Sequence, residues 1–194
     1  MLAKYLVQPR VGHMDQALHV FAYLKMHDRS TMAFDNSLPV FDESQFICAD
    51  WMDFYKDAKE ALPPNAPEAR WNIVTIHCFV DADHAGDHVT RRSQTEILIF
   101  INRALIIWYS KWQNTVETSM FGSEFVAILI AMEMIEALHY KLRVFGVQID
   151  GPMNVFCDNK ALVQNSTRPE TMIKKKHNSI AYHHVREAIA AKVL

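Results

Sequence analysis

The second half of the chain alternates short apolar runs with polar turns. Ile73–Val80 is apolar and rich in β-branched residues, which predicts a buried strand. After the polar loop 81–92, the runs Thr95–Ile101 and Leu105–Lys111 predict two further strands joined by a short turn at Asn102–Arg103. We therefore expect an antiparallel three-stranded meander.

A helical period then replaces the strand pattern. Apolar residues recur at helical spacing over Met120–Arg143, which predicts one long helix with a buried side. Met153–Cys157 predicts a short strand, a helix-like segment begins at Asn159, and Lys174–Val193 predicts a closing helix. This order favours an α/β fold, in which helices pack on a mixed sheet.

The first 70 residues have a different character. Met14–Met26 predicts an amphipathic helix, and Thr31–Phe34 predicts a short strand. Four prolines and frequent acidic residues mark Asp35–Arg70, which we interpret as a surface linker with one short helix at Trp51–Ala61.

Composition excludes several classes of protein. Half of the 194 residues are hydrophobic, so the chain can bury a core, but no apolar run is long enough to span a bilayer. The N-terminus lacks a signal-peptide layout, and Cys48, Cys78 and Cys157 show no paired metal spacing. We expect an intracellular, reduced protein without a membrane partner, with Cys78 and Cys157 as core residues of two strands.

The net charge of −2 hides an asymmetry between the two halves. Residues 1–90 hold 7 Lys and Arg against 13 Asp and Glu, whereas residues 91–194 hold 13 against 9. The positive charge of the second half is most concentrated at Lys174–Lys176. This cluster is either a solvated helix face or a phosphate-binding surface beside a catalytic site.

Three carboxylates stand where secondary-structure elements begin or end. Asp81 ends the first strand of the meander, Glu124 lies near the start of the long helix, and Asp158 ends the strand after that helix. If they converge, their mutual repulsion calls for a divalent cation, and oxygen ligands favour Mg²⁺ or Mn²⁺. The alternative is structural, because Asp is common in turns and Glu favours a helix N-terminus.

Short motifs follow one another in a defined order between residues 71 and 190. They are Val80–Asp87, Arg91–Ser93, Ile107–Lys111, Ser123–Ala127, Phe156–Asn159, and Lys176-His177 with Tyr182-His183 and Arg186-Glu187. In this order they resemble the ribonuclease H domain of copia-type retrotransposon polyproteins. His84, Glu96 and Trp112 depart from the family pattern, which has Trp, Gly and a basic or polar residue at these places.

The resemblance implies a ribonuclease H-like fold that hydrolyses RNA in RNA–DNA hybrids by two-metal catalysis. It makes Asp81, Glu124 and Asp158 the ligands of Mg²⁺ or Mn²⁺, and gives Asp83 either an assisting role or a loop role. Because the family continues beyond the position of Leu194 with a strand and a fourth Asp, we expect a sheet lacking its last strand. The candidate nucleic-acid contacts are Arg91, Arg92, Lys111, Lys174, Lys175 and Lys176.

The resemblance also divides the chain. Residues 1–35 are similar to the tail of the reverse transcriptase connection segment, residues 36–70 are the linker, and residues 71–194 are the ribonuclease H-like domain. The implied partners are an RNA–DNA hybrid and the reverse transcriptase portion of the polyprotein, in the cytoplasm or a virus-like particle, with the nucleus as an alternative. The competing hypothesis is an inactive remnant that acts at most as a nucleic-acid or protein binding module.

Overall fold

Four strands form one mixed sheet in the computed structural model, which describes residues 8–42, 44, 46, 47, 49–51, 53–171 and 179–194. The sheet order is β3-β2-β1-β4, with β1, β2 and β3 antiparallel and β4 parallel to β1. This confirms the predicted α/β class. The strand bounds are Ile76–Asp83 (β1), Gln94–Ile101 (β2), Ala104–Trp112 (β3) and Asn154–Cys157 (β4).

Side-chain caps explain where two of the helices begin. Ser119 accepts a hydrogen bond from the Gly122 N–H at 3.2 Å, and Asn159 accepts one from the Leu162 N–H at 3.0 Å. The predicted closing helix is present over 179–190, while its expected first residues, 174–178, lie outside the described residues. The helices are Val11–Met26 (α1), Met120–Val144 (α2), Lys160–Thr167 (α3) and Ser179–Ala190 (α4).

The core lies between α2 and one face of the sheet. Strand side chains alternate between the two faces, so every second residue of β1 points toward α2 and is buried. Helix α2 lies in the connection between β1 and β4, which must cross over because these two strands are parallel. The central buried residues are Ile76, Cys78, Val80, Ala82, Ile97, Ile99, Phe125, Ile128, Met132 and Ile135.

Two local predictions are wrong. Thr31–Phe34 is not a strand, because no neighbouring strand pairs with it among the described residues. The described part of Trp51–Ala61 forms turns instead of a helix, with the Tyr55 N–H bonded to the Trp51 carbonyl. Tertiary contacts hold this segment: the Arg186 guanidinium lies 4.9 Å from the Trp51 ring centroid and 5.7 Å from that of Tyr55.

The described residues of the segment 34–60, here called the cover segment, pack against the domain. Phe41 contacts Phe156 of β4 with ring centroids 5.4 Å apart, and Glu60 forms a bidentate ion pair with Arg143 of α2. The described cover segment therefore reaches from the outer face of the sheet to the helix layer.

Two units divide the chain, residues 1–33 and 34–194, and each is described by itself. In the first unit, α1 confirms that a helix is present and begins three residues earlier than predicted, at Val11, but none of its side chains is buried, so its predicted amphipathic character stays a prediction. Across the described residues, every helix falls short of the length and apolarity that crossing a membrane requires.

Candidate metal centre

The strand register brings two predicted ligands to the same end of the sheet. Val80 of β1 pairs with Cys157 of β4 in the parallel ladder. Asp81 and Asp158 each follow a member of this pair, so their backbones lie side by side. Strand β4 ends at this point, whereas β1 continues for two more residues to Asp83, so the prediction that Asp81 ends its strand is wrong. Asn159 then caps α3, which turns the chain away directly after Asp158.

Buried hydrogen bonds hold the first turn of α2 over this end of the sheet. The Gln113 side chain donates to the Ser123 carbonyl at 2.7 Å and to the Thr95 hydroxyl at 3.0 Å, which ties the helix start to β2. Glu124 follows directly and is only 5% exposed. The hydrogen bonds of its neighbours thus hold Glu124 against the sheet.

Glu124, Asp158 and Cys157 bring their side chains together. One ligand atom from each residue lies within 4.8 Å of those of the other two. The Cys157 thiol donates a long hydrogen bond to Glu124 Oε2 at 3.7 Å. Burial raises the pKa of Cys157 to about 11, and the negative charges of Glu124 and Asp158 act in the same direction. The free thiol is therefore protonated at neutral pH.

The chemistry of this group fits a divalent cation. Glu124 is buried, and the described part of the chain contains no cationic side chain paired with it. A buried carboxylate without a counter-charge is costly, whereas a metal ion would compensate it. Asp158 is exposed, so the group is open to solvent on one side.

Asp81 does not join the group of three. Its neighbours Val80 and Ala82 are buried toward α2, so strand alternation directs the exposed Asp81 to the opposite face, across from Glu96. Its Oδ1 accepts a hydrogen bond from the Ala82 N–H at 2.7 Å. The structure thus brings together two of the three predicted ligands, and a metal-binding role for Asp81 stays a prediction.

Asp83 is the last residue of β1, where it pairs with Gln94, and its side chain reaches into the loop that follows. Its carboxylate occupies the space that a Cβ on Gly86 would need, so it packs against the β1–β2 loop. The same loop contacts the start of α2, where the His84 Nδ1 and Ser123 Oγ atoms are 3.2 Å apart. Of the two roles expected for Asp83, the loop role fits these contacts.

Three predicted nucleic-acid contacts lie at the sheet end that carries the carboxylates. Arg91 and Arg92 are exposed in the β1–β2 loop, and Lys111 is exposed next to the last residue of β3. The Lys111 ammonium lies 5.5 Å from the Tyr109 ring centroid. The predicted contacts at Lys174, Lys175 and Lys176 lie outside the described residues.

Sequence reasoning missed Cys157 as a candidate ligand. It assigned this thiol to the core, and the half-buried side chain does pack against the core, but it also lies beside Glu124. Its position directly before Asp158 was the available signal. Cys78 is fully buried in β1, as predicted, and Cys48 lies outside the described residues.

The comparisons with known proteins point to transposon polyproteins. No family model matches the chain. It is 25% identical over 123 residues to the retrovirus-related Pol polyprotein from transposon RE2 of Arabidopsis thaliana, and equally so to that from transposon RE1. It is 29% identical over 111 residues to the corresponding polyprotein from transposon TNT 1-94 of Nicotiana tabacum. These matches cover 57–63% of the chain and 8% of each relative.

Proposed function

Because the chain is homologous to retrovirus-related Pol polyproteins of plant transposons, as its motifs predicted, we propose a function within such a polyprotein. Residues 71–194 form a ribonuclease H-like domain of a copia-type element, which hydrolyses the RNA strand of RNA–DNA hybrids. The observation that carries the proposal is the convergence of Glu124 and Asp158, from α2 and the end of β4, at one end of the sheet.

In this proposal the carboxylates hold Mg²⁺ or Mn²⁺. Glu124 provides a fixed, buried oxygen ligand, and Asp158 provides an exposed one that a substrate can approach. Asp81 would complete the set from β1, and because it lies on the opposite face of the sheet, this requires the backbone at this end of β1 to change when the ions bind. When bound, a pair of such ions activates a water molecule and stabilises the leaving oxygen of a phosphodiester.

The same end of the sheet carries positively charged side chains that could bind the phosphates of an RNA–DNA hybrid. Arg91, Arg92 and Lys111 are exposed there and would contact phosphates, while the wide minor groove of a hybrid is recognised by shape and 2′-hydroxyl groups. Lys174–Lys176 would extend this surface. The reverse transcriptase portion of the polyprotein is the second proposed partner, in the cytoplasm, a virus-like particle or the nucleus.

A cleavage assay tests the proposal. The purified chain is incubated with a labelled RNA–DNA hybrid in Mg²⁺ or Mn²⁺, beside Asp158→Asn and the control Asp150→Asn. Asp150 is an exposed carboxylate outside the cluster, in the loop that precedes β4. We expect Asp158→Asn to lower the cleavage rate by about 100-fold or more, because a neutral amide is a poorer metal ligand. Equal rates in the two variants would contradict the proposal.

A non-catalytic role is the second candidate, and the position of Asp81 favours it. With this carboxylate on the opposite face, the described cluster has two carboxylates instead of three. A binding module would shift the mobility of the hybrid in a gel and leave the RNA intact with either metal. Replacement of Arg91, Arg92 and Lys111 by Ala would then weaken binding and reduce its dependence on salt.

A further inference from the structure

The thiol of Cys157 shares a corner of the sheet with two carboxylates. Its Sγ atom lies 3.7 Å from Glu124 Oε2, and the three ligand atoms lie within 4.8 Å of one another. Two donor atoms bound to one tetrahedral ion are about 3.5 Å apart, as follows from metal–ligand bonds of about 2.0–2.3 Å. Small side-chain rotations would therefore close this group around a single ion.

The burial of Glu124 beside this thiol also favours a cation. Glu124 is only 5% exposed as a residue, and the hydrogen-bonding partner of its carboxylate among the described residues is the thiol of the same group. A thiol is a weak donor and carries no positive charge. The hydrogen bonds of Gln113 and Ser123 nevertheless hold the start of α2 in place, so the fold keeps this carboxylate beside the thiol.

We propose that Cys157 is a metal ligand and that Glu124, Cys157 and Asp158 together bind one thiophilic divalent ion of the Zn²⁺ class. Thiolate sulfur favours Zn²⁺, Co²⁺ and Cd²⁺, whereas Mg²⁺ requires oxygen ligands in octahedral geometry. On binding, the S–H bond breaks, a metal–sulfur bond forms, and the proton passes to solvent. Mg²⁺ would use the two carboxylates alone.

The inference rests on the proposed function in one respect: the same two carboxylates, Glu124 and Asp158, would bind either the thiophilic ion or the catalytic Mg²⁺ ions. A bound Zn²⁺ would occupy these two carboxylates and exclude Mg²⁺. Zn²⁺ is therefore expected to inhibit hybrid cleavage in the presence of Mg²⁺, and to do so less effectively in Cys157→Ser, which retains both carboxylates.

Cobalt provides a direct readout of sulfur ligation. The full chain is titrated with Co²⁺, and the near-ultraviolet charge-transfer band of a Co²⁺–thiolate bond is recorded. We expect the band in the wild type and in the control Cys78→Ala, its loss in Cys157→Ser, and its displacement by Zn²⁺. Cys78 is a suitable control because its thiol is buried in the neighbouring strand, where burial raises its pKa to about 12. Affinity for Co²⁺ should fall at least about tenfold in Cys157→Ser, and affinity for Mg²⁺ should stay within about twofold.

Absence of the band in the wild type, or its persistence in Cys157→Ser, would overturn the proposal. If Cys157→Ser does not fold, the ¹¹³Cd chemical shift of the wild type decides the matter, because sulfur ligation moves it far from the value for oxygen ligands. Hybrid cleavage in Mg²⁺ is measured separately, so that failure of the metal-ligand proposal can be distinguished from failure of the proposed function. Cleavage without the band leaves the proposed function standing, and the band without cleavage leaves only the ion site.

Discussion

The two faces of the sheet are built from different side chains and covered in different ways. The inner face is mainly aliphatic and lies under α2, with Ile76, Ile97 and Ile99 almost completely buried. The outer face is aromatic: the His77 ring stacks on Phe100 at 4.9 Å, and Phe79 stacks on Phe156 at 5.0 Å. Its cover comes from Phe41 and Phe46 of the cover segment, which has no strand or long helix of its own in its described part.

This difference shows which contacts should stabilise the fold most. The inner face excludes water, so each apolar side chain there contributes its full transfer free energy and packing. The outer face remains partly open, since Phe79 is 44% exposed and Trp108 is 65% exposed. The inner face should therefore dominate global stability, while the outer face should control the attachment of the cover segment.

The largest effect is expected in the core between α2 and the inner face of the sheet. Phe125→Ala removes a ring that is 1% exposed and leaves a cavity, which should lower the free energy of unfolding by about 3–5 kcal/mol. Urea denaturation measures the change. The control Phe145→Ala, at a side chain that is 68% exposed, should change it by less than about 0.5 kcal/mol. Similar losses in both variants would contradict this account of the core.

A smaller effect is expected at the outer face. Phe41→Ala removes ring contacts to His77 and Phe156 and should lower the free energy of unfolding by about 1–2 kcal/mol, because the site is only half-buried. Limited proteolysis should also cut within residues 34–60 before the rest of the domain. The neighbouring Val40 is 95% exposed, so Val40→Ala is the control and should cause neither change. An unchanged cleavage pattern in Phe41→Ala would show that other contacts hold the segment.

The smallest effect concerns pH. Burial among aromatic rings lowers the pKa of His77, so the folded state resists protonation of the imidazole. Below about pH 6.5 the unfolded chain binds a proton that the folded chain does not, so stability should be complete above this pH and decrease as the pH falls toward the lowered pKa.

His77→Phe should make the loss of stability on lowering the pH smaller without abolishing it. Burial also lowers the pKa of His139, although Glu60 at 2.6 Å opposes that shift, so one buried histidine would remain. Urea midpoints at about pH 7.5 and pH 5.5 give the slope for the wild type and the variant. Identical slopes would show that His77 does not contribute to the pH dependence.

Local patterns predicted most of the domain because its elements are stabilised by side chains close to them in sequence. The hairpin turn at Asn102–Arg103 was predicted correctly, and Asn102 has the positive φ of 54° that such turns require. The long helix also begins at Met120, as predicted, where Ser119 caps it. The turns at Trp51–Ala61 were missed because Arg186, more than a hundred residues later, holds Trp51 and Tyr55 in place.

The sequence by itself determined the element order of residues 71–194, the α/β class, and the positions of Glu124 near the start of α2 and of Asp158 after β4, because periodicity and capping are local properties. Asp81 instead lies inside β1, which continues to Asp83. Only the tertiary structure decided which of these side chains meet. The parallel register of β1 and β4 brings Cys157 and Asp158 to Glu124, and strand alternation turns Asp81 to the other face. A shift of one residue along a strand turns every side chain to the opposite face of the sheet. The register that forms is the one that buries the apolar side chains of the whole strand, and this register decides where Asp81 points.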